Sequence, residues 1–370
     1  MRILLTGGGT AGHVNPAIAI AQIIKENDPN AEIAFAGTPK GIENRLVEKE
    51  GYRMYHAKSM GISRNLSPKN IYALFLAFYS PIKAKKFIKE FAPDIVIGTG
   101  GYVCWPVLKA ASSLNIPTAV HESNVVPGFA IKMLEKYVDK ILLNFEKTRD
   151  FLKHPEKSVT VGNPMRTGFT AGNREKTRER LGIKENEKLI LSFGGSLGAD
   201  AINNACIEMM SSYVENTEGI YHIHASGEKN YDRCKEKFDS LNLQNSKKIK
   251  LEKYINNMPE LMSASDAVIS RAGAMTLSEL ALTKKASILI PSPNVTNNHQ
   301  YKNAKALADK NAAILLEEKD LSSESLTQNI KSIFENNEKS AELQKNISLF
   351  ALQEANRKVY EEVLKLIKKQ

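Results

Sequence analysis

His13 stands directly after Gly7-Gly8-Gly9-Thr10-Ala11-Gly12, which itself follows the strand-like run Arg2-Ile3-Leu4-Leu5. A glycine turn opening a helix presents unpaired N–H groups and a positive dipole end, a setting suited to phosphate. A neutral imidazole beside such a cradle can accept a proton near pH 7. A structural histidine is the alternative. Two further turns follow the same pattern: Gly98-Thr99-Gly100-Gly101-Tyr102 after Asp94-Ile95-Val96-Ile97, and Gly194-Gly195-Ser196-Leu197-Gly198-Ala199 after Leu189–Phe193. Two such turns in the first half and one in the second suggest two diphosphate-bearing ligands.

The first turn satisfies G-x-G-x-x-G. A dinucleotide fold would place an acidic residue at the end of the second strand to hold a ribose, but that strand ends Ala36-Gly37-Thr38. Glycines kept only for packing remain the other reading. His121-Glu122-Ser123-Asn124 ends another strand, where Glu122 and Asn124 could meet sugar hydroxyls or an amide, or Ser123 and Asn124 simply cap a turn. Ser270-Arg271-Ala272-Gly273 leads into Ala274-Met275-Thr276-Leu277-Ser278-Glu279. There Arg271 or the amides could meet phosphate, and Glu279 has two acceptor oxygens for a ribose. Thr276-x-x-Glu279 also fits a capping box. Asn298-His299-Gln300-Tyr301-Lys302-Asn303 is either a polar loop or a reader of sugar hydroxyls.

The elements that must position these groups alternate along the chain. Strands are expected at Arg2–Thr6, Glu32–Ala36, Arg53–Ala57, Asp94–Gly98, Pro117–His121 and Lys140–Leu143. Helices are expected at Pro16–Glu26, Ile42–Lys49, Ile71–Phe91 and Cys104–Leu114. A second alternation begins near Lys188 and runs through strands at Ile220, Lys248, Ala267, Ala286 and Ala312. This order makes right-handed crossovers and parallel sheets, an α/β class. A length of 370 residues favours two domains. The divisions expected are 1–163, 164–340 and a terminal segment 341–370. That segment reads as one long helix, with Tyr360, Val363, Leu364 and Ile367 on one face. It would pack on its own domain or cross back to the first.

Composition is that of a soluble globular chain, 42% hydrophobic and 25% charged. The net charge of +10 fits either a solubilising surface or attraction to anions. Three isolated cysteines show no zinc-ligand spacing and fit a reducing compartment. No signal-peptide pattern opens the chain, and no apolar run reaches the roughly 18 residues that span a bilayer. A cytosolic protein able to rest on a membrane is the expectation. Ile71 to Tyr79, including Leu74, Phe75 and Phe78, is apolar around a whole helix, and Lys83, Lys85, Lys86 and Lys89 follow. It reads as a buried helix with a basic end, or as an exposed patch that dips into anionic lipid.

Seven motifs occur in order: Gly-Gly-Thr-Ala-Gly-His-Val, Gly-Thr-Gly-Gly-Tyr, His-Glu-Ser-Asn, Gly-Asn-Pro-Met-Arg, Gly-Gly-Ser-Leu-Gly-Ala, Ser-Arg-Ala-Gly-Ala-Met-Thr-Leu-Ser-Glu and His-Gln-Tyr-Lys-Asn-Ala. As an ordered set from Met1 to about Ala304 they resemble the MurG family, inverting glycosyltransferases of family 28 with the GT-B fold. The resemblance implies two Rossmann-like domains with a cleft between them. It implies GlcNAc transfer from UDP-GlcNAc to the C4 hydroxyl of the muramoyl sugar of lipid I, giving lipid II. The first domain would take the acceptor, whose pyrophosphate would lie at Gly8, Gly9, Gly100, Gly101 and Tyr102. The donor would be read by Thr10, Ala11, Gly12, Asn124, Arg166, Ser196, Ile255, Ala274, Met275, Thr276, Leu277, Ser278, Glu279 and Gln300, with His13 as general base. The resemblance also implies a peripheral place on the cytoplasmic face of the cell membrane and other cell-wall synthesis proteins as partners, with no nucleic-acid partner. No cofactor is expected. The donor half has no clear Asp-x-Asp, so no obligatory metal is expected either. Many relatives have glycine at Ala11 and acidic residues at Asn256-Asn257, and some have Gln at His299.

Overall fold

The computed structural model describes all residues except 62–67, 167, 170–172, 196, 296–297, 352–353 and 369–370. They form two units, Met1–Thr167 with Leu352–Gln370, and Gly168–Ala351.

In the first unit the strands are β1 (Arg2–Thr6), β2 (Glu32–Gly37), β3 (Arg53–His56), β4 (Ile95–Gly98), β5 (Thr118–Glu122), β6 (Lys140–Leu143) and β7 (Ser158–Thr160). All pair in parallel, in the order β3-β2-β1-β4-β5-β6-β7. Helices α1 (Ala11–Asn27), α2 (Ile42–Lys49), α3 (Pro68–Phe91), α4 (Cys104–Ser112) and α5 (Phe129–Leu134) link them. The short polar β7 was not expected from the sequence; Ser158-Val159-Thr160 carries little apolar signal. Strands covered on both faces read as continuous apolar runs. Ile3, Leu4 and Leu5 are fully buried. Ile3 and Leu5 pack with Ile18 and Ala21 of α1, while Leu4 packs on the opposite layer with Val107 and Leu108 of α4. Each such burial stabilises by roughly 1.5–3 kcal/mol.

Helix α1 begins at Ala11, not at the expected Pro16. Proline removes only the amide that would reach the Gly12 carbonyl, which does not end a helix so near its start. His13 therefore sits in the first turn of α1.

The second unit holds β8 (Lys188–Phe193), β9 (Ile220–Ala225), β10 (Ile249–Glu252), β11 (Ala267–Ser270), β12 (Ala286–Leu289) and β13 (Ile314–Leu315). They too are parallel, in the order β10-β9-β8-β11-β12-β13. Its helices are α6 (Arg174–Leu181), α7 (Asp200–Met209), α8 (Tyr231–Ser240), α9 (Met258–Ala264), α10 (Ala274–Leu282), α11 (His299–Ala308), α12 (Ser323–Phe334) and α13 (Asn337–Ser348).

The expected single terminal helix is two: α13, and α14 (Ala355–Ile367). Their apolar stripes are buried in different cores. Leu343 of α13 joins the core of the second unit. Val359, Val363 and Leu366 of α14 join Ile3, Leu5 and Ile18 in the first. Asn356 fastens this end by accepting from the Met165 amide at 2.8 Å and donating to the Met165 carbonyl at 2.9 Å. Among the described residues no helix is long and apolar enough to cross a membrane.

Candidate active site

In an open parallel sheet, ligands bind beyond the carboxyl ends of the strands where the strand order reverses. In the first unit that point lies between β1 and β4, where Thr6 pairs with Gly98. The two loops leaving it are the first and second glycine turns. In the second unit it lies between β8 and β11, where Phe193 pairs with Ser270. The loops there are the third glycine turn and the segment that opens α10. The three glycine turns and the segment opening α10 thus stand at topological switch points.

The first two turns are tied together. The Gly8 amide donates to the Gly100 carbonyl at 3.3 Å, and Thr99 Oγ1 donates to the His13 carbonyl at 2.6 Å. The Gly100 amide donates to Cys104 Sγ at 3.2 Å, and the Gly9 amide to Glu43 Oε2 at 3.1 Å. The amides of Gly8, Gly9 and Gly100 are therefore committed within the chain, contrary to their expected availability to a pyrophosphate. The amides of Ala11 and Gly12 begin α1, where no intrahelical acceptor exists, and among the described residues none is supplied from elsewhere. Anion-binding capacity lies there, one residue from His13. Tyr102 is half exposed beside the second turn.

The His13 tautomer follows from its partners. Nδ1 lies 3.0 Å from the Gly8 carbonyl and 3.3 Å from Thr10 Oγ1. A carbonyl can only accept, so Nδ1 carries the proton and Nε2 of the neutral ring is left as the basic nitrogen.

The β5 end is a buried polar knot. His121 Nε2 donates to the Gly162 carbonyl at 2.9 Å, and burial pushes its pKa down to about 4. Glu122 accepts from the Asn124 amide, Asn124 Nδ2 and the Gly128 amide at 2.7–2.9 Å. Burial raises this carboxyl despite those bonds. Glu122 thus holds the turn, and Asn124 is the residue it orients. Arg166 Nη2 donates to Asn15 Oδ1 at 2.7 Å, which ties this cation to α1.

In the second unit Ser196 lies outside the described residues. Ile255 is buried. Helix α10 has Gly273 as its N-cap, so Thr276 lies inside the first turn and the capping box expected with Glu279 does not form. Arg271 is not aimed at phosphate: it donates to the Ile290 carbonyl at 3.2 Å and pairs with Glu318. Gln300 accepts from the Ser292 amide at 2.9 Å, fixing its carbonyl at the end of β12.

Cys206, His222 and His224 are close enough together to suggest a metal. Ser192 Oγ, however, lies 2.6 Å from His222 Nε2 and 2.7 Å from His224 Nδ1, filling the space between the rings. Asn203 Nδ2 donates to the Ser226 carbonyl, so its Oδ1 accepts from His224 Nε2 at 3.0 Å. The Ser192 hydroxyl then donates to His224 and accepts from His222. The group is a hydrogen-bonded chain of neutral side chains beneath the third glycine turn.

Models of the family 28 glycosyltransferase N-terminal and C-terminal domains match residues 3–143 and 189–359. The chain belongs to glycosyltransferase family 28. Within that family it is 44% identical over 307 residues, 83% of this chain and 82% of the relative, to the UDP-N-acetylglucosamine–N-acetylmuramyl-(pentapeptide) pyrophosphoryl-undecaprenol N-acetylglucosamine transferase of Acetivibrio thermocellus. The crystal structure of Acinetobacter baumannii MurG is similar over 100% of this chain and 99% of that one, with TM-score 0.73 and 26% identity. The UDP-GlcNAc 2-epimerase of Neisseria meningitidis shares the fold, at TM-score 0.66 and 13% identity over 99% of this chain and 100% of that one. Two parallel-sheet units together with the match to the MurG structure give the chain the GT-B fold.

Glu43 is the site residue that sequence reasoning missed. The carboxylate sought at the end of β2 arrives five residues after Thr38, from the first turn of α2. It turns inward to the glycine loop instead of outward to a ribose. Burial raises its pKa, but bonds from Thr38 Oγ1 (2.6 Å), the Thr38 amide (2.7 Å) and the Gly9 amide outweigh this and lower it. The available signal was a lone Glu following Gly37-Thr38 and Gly41.

Proposed function

We propose that this family 28 enzyme transfers GlcNAc with inversion from UDP-GlcNAc to the C4 hydroxyl of the muramoyl sugar of undecaprenyl-pyrophosphoryl-MurNAc-pentapeptide, lipid I, and so makes lipid II. The carrying observation is the placement of His13: its Nδ1 lies 3.0 Å from the Gly8 carbonyl, on the first turn of a helix whose leading amides suit a phosphate. Identity to a transferase of that printed activity across both domains supports the substrate pair.

The acceptor is assigned to the first unit and the donor nucleotide mainly to the second. In the first unit, Thr10, Ala11, Gly12 and Asn124 face the donor sugar, and Arg166, held by Asn15, meets the nucleotide. In the second, Ile255 and Ser196 join the nucleotide site, Ala274–Glu279 wrap the diphosphate and ribose, and Gln300 reads GlcNAc hydroxyls. His13 Nε2 takes the C4 hydroxyl proton as the oxygen attacks the anomeric carbon. One displacement forms the new glycosidic bond and breaks the bond to UDP, with no sugar–enzyme intermediate. Negative charge on the departing UDP is offset by the N-terminal amides of α10.

The exposed face of α3 is assigned to anionic lipid. Ile71, Leu74, Phe75, Phe78 and Ile82 recur at helical spacing and are all exposed, while Ala73, Leu76, Ala84 and Ile88 are buried. Lys83 and Lys86 are exposed and Lys85 is half-buried in the next turns. Trp105 Nε1 donates to the Ala77 carbonyl at 2.8 Å and fastens the helix to α4. Apolar side chains entering the acyl boundary beside these lysines fit the cytoplasmic leaflet, where the acceptor lipid is taken up.

His13→Gln is expected to lower turnover by about 10²–10⁴ with UDP-GlcNAc affinity largely kept, measured by UDP release with and without lipid I. UDP release or sugar conversion at full rate without lipid I would instead mark an epimerase-like reaction. Unchanged turnover in the variant would remove His13 as the base.

A further inference from the structure

The Gly8–Gly9 peptide is held from both sides. Its N–H donates to Glu43 Oε2 at 3.1 Å, and its C=O accepts from His13 Nδ1 at 3.0 Å. A trans peptide is planar, with N–H and C=O pointing opposite ways. Fixing one therefore aims the other. We infer that Glu43 is a positioning residue: by anchoring the Gly9 amide it keeps the Gly8 carbonyl on His13 and decides which imidazole nitrogen remains a base. Its catalytic consequence rests on the proposed base role of His13.

The anchor has something to resist. A peptide between two glycines has no Cβ on either side to oppose rotation, and Gly9 already has φ +82°. If the peptide turned over, its N–H would face Nδ1. That nitrogen would have to accept, and the ring proton would move to Nε2, where it blocks base catalysis.

An ionised carboxylate can only accept hydrogen bonds. It holds the N–H of the observed peptide and would repel the carbonyl of the reversed one. Glu43 is itself fixed, since Oε1 accepts from both the amide and the hydroxyl of Thr38. The surrounding glycines make room for it. A Cβ on Gly8 would lie 2.7 Å from Oε1, and one on Gly41 would overlap the carboxyl group. Carboxylate, peptide and imidazole thus form one relay with a single polarity.

Glu43→Gln is the diagnostic change. It keeps size and one acceptor but adds an NH₂ donor, which can satisfy the carbonyl of the reversed peptide. In full-length protein labelled with ¹⁵N-histidine, His13 (assigned by its loss in His13→Gln) is expected as the Nδ1–H tautomer. In Glu43→Gln it is expected to shift toward Nε2–H. Turnover of UDP-GlcNAc with lipid I is expected to fall by roughly 10–100-fold, with the KM for UDP-GlcNAc changed less than about threefold. The acid limb of the pH–rate profile should move as well, which a loss of fold stability alone would not cause. Thr38→Val removes one bond to Glu43 and should move the tautomer the same way by less; it decides the matter if Glu43→Gln does not fold. An unchanged tautomer in a folded Glu43→Gln or, failing that, in Thr38→Val overturns the inference. A shifted tautomer with full turnover upholds the relay and removes His13 as the base instead.

Discussion

The two units place the same strand–glycine turn–helix at the same point of the same kind of sheet, yet they hold it differently. In the first, the turn after β1 closes on an internal carboxylate, Glu43, and on the Gly100 carbonyl. In the second, the turn after β8 is held, among the described residues, by neutral groups: Gly198 packs against the Ser226 carbonyl, and Asn230 Nδ2 donates to the Leu197 carbonyl at 3.3 Å. Beneath it lie neutral buried histidines rather than a charge. A turn braced by charge can orient a neighbouring side chain, as proposed for Glu43 and His13.

The largest effect expected from this difference is with acid. Burial lowers the pKa of His224 to about 4 and that of His222 well below its usual value, while the first unit has His121, at about 4. A histidine kept neutral by the fold titrates near 6.5 when unfolded, so between about pH 6.5 and 4 the unfolded chain binds more protons. Stability is full above that window and is lost as pH falls through it. At about 1.4 kcal/mol per unit, His121 and His224 each account for on the order of 3 kcal/mol; His222 adds in the same direction. The second unit, with two, should open first. Hydrogen exchange followed by mass spectrometry from pH 7 to 4 reads this unit by unit, and equal pH slopes in both would break the comparison.

A glycine pair sharpens it further. Gly198 has φ +77° and no room for a Cβ, whereas Gly9 has φ +82° and open space. Gly198→Ala is expected to cost about 3–4 kcal/mol by forcing the turn off Ser226, and to weaken UDP-GlcNAc binding. Gly9→Ala should cost only the left-handed backbone, roughly 1–2 kcal/mol. Chemical denaturation of both variants checks the ranking; equal losses would mean that the second turn yields as easily as the first.

These contrasts mark what could be read from the sequence. The sheets were legible because Ile3-Leu4-Leu5 and Leu189-Ile190-Leu191 are continuous apolar runs before glycine, and parallel pairing follows from such runs alternating with helices. The segments holding His13, Asn124 and Glu279 stood out because glycine and polar residues follow strand ends there. What stayed hidden were partner choices over long separations. Nothing local shows that Glu43 turns toward Gly9, that Arg271 pairs with Glu318, or that Asn15 holds Arg166. The split between α13 and α14 was hidden for a related reason: both stretches are good helix, and only the cores that bury Leu343 and Val359 separate them.

The smallest expected change in stability belongs to the surface of α3, where the units differ again. In the second unit the exposed large apolar side chains are scattered: Leu197, Leu241, Tyr254 and Leu349. In the first they concentrate on one helix, where Phe78 is 79% and Ile71 73% exposed. Tyr72, Phe75 and Tyr79 add a run of stacked rings, with centroids 6.4 and 5.4 Å apart and the Lys83 ammonium over Tyr79. Side chains in water contribute little to the fold, so Phe75→Ser with Phe78→Ser should alter stability by no more than about 0.5 kcal/mol. Binding to vesicles containing anionic lipid should nevertheless fall, because each phenyl ring withdrawn from the acyl boundary removes buried apolar area worth on the order of 2 kcal/mol. Sedimentation with such vesicles and thermal melting of the same sample separate the two readings. Lost binding with an unchanged melt identifies α3 as a lipid-facing element, while a lowered melt would mean that these rings brace the helix itself.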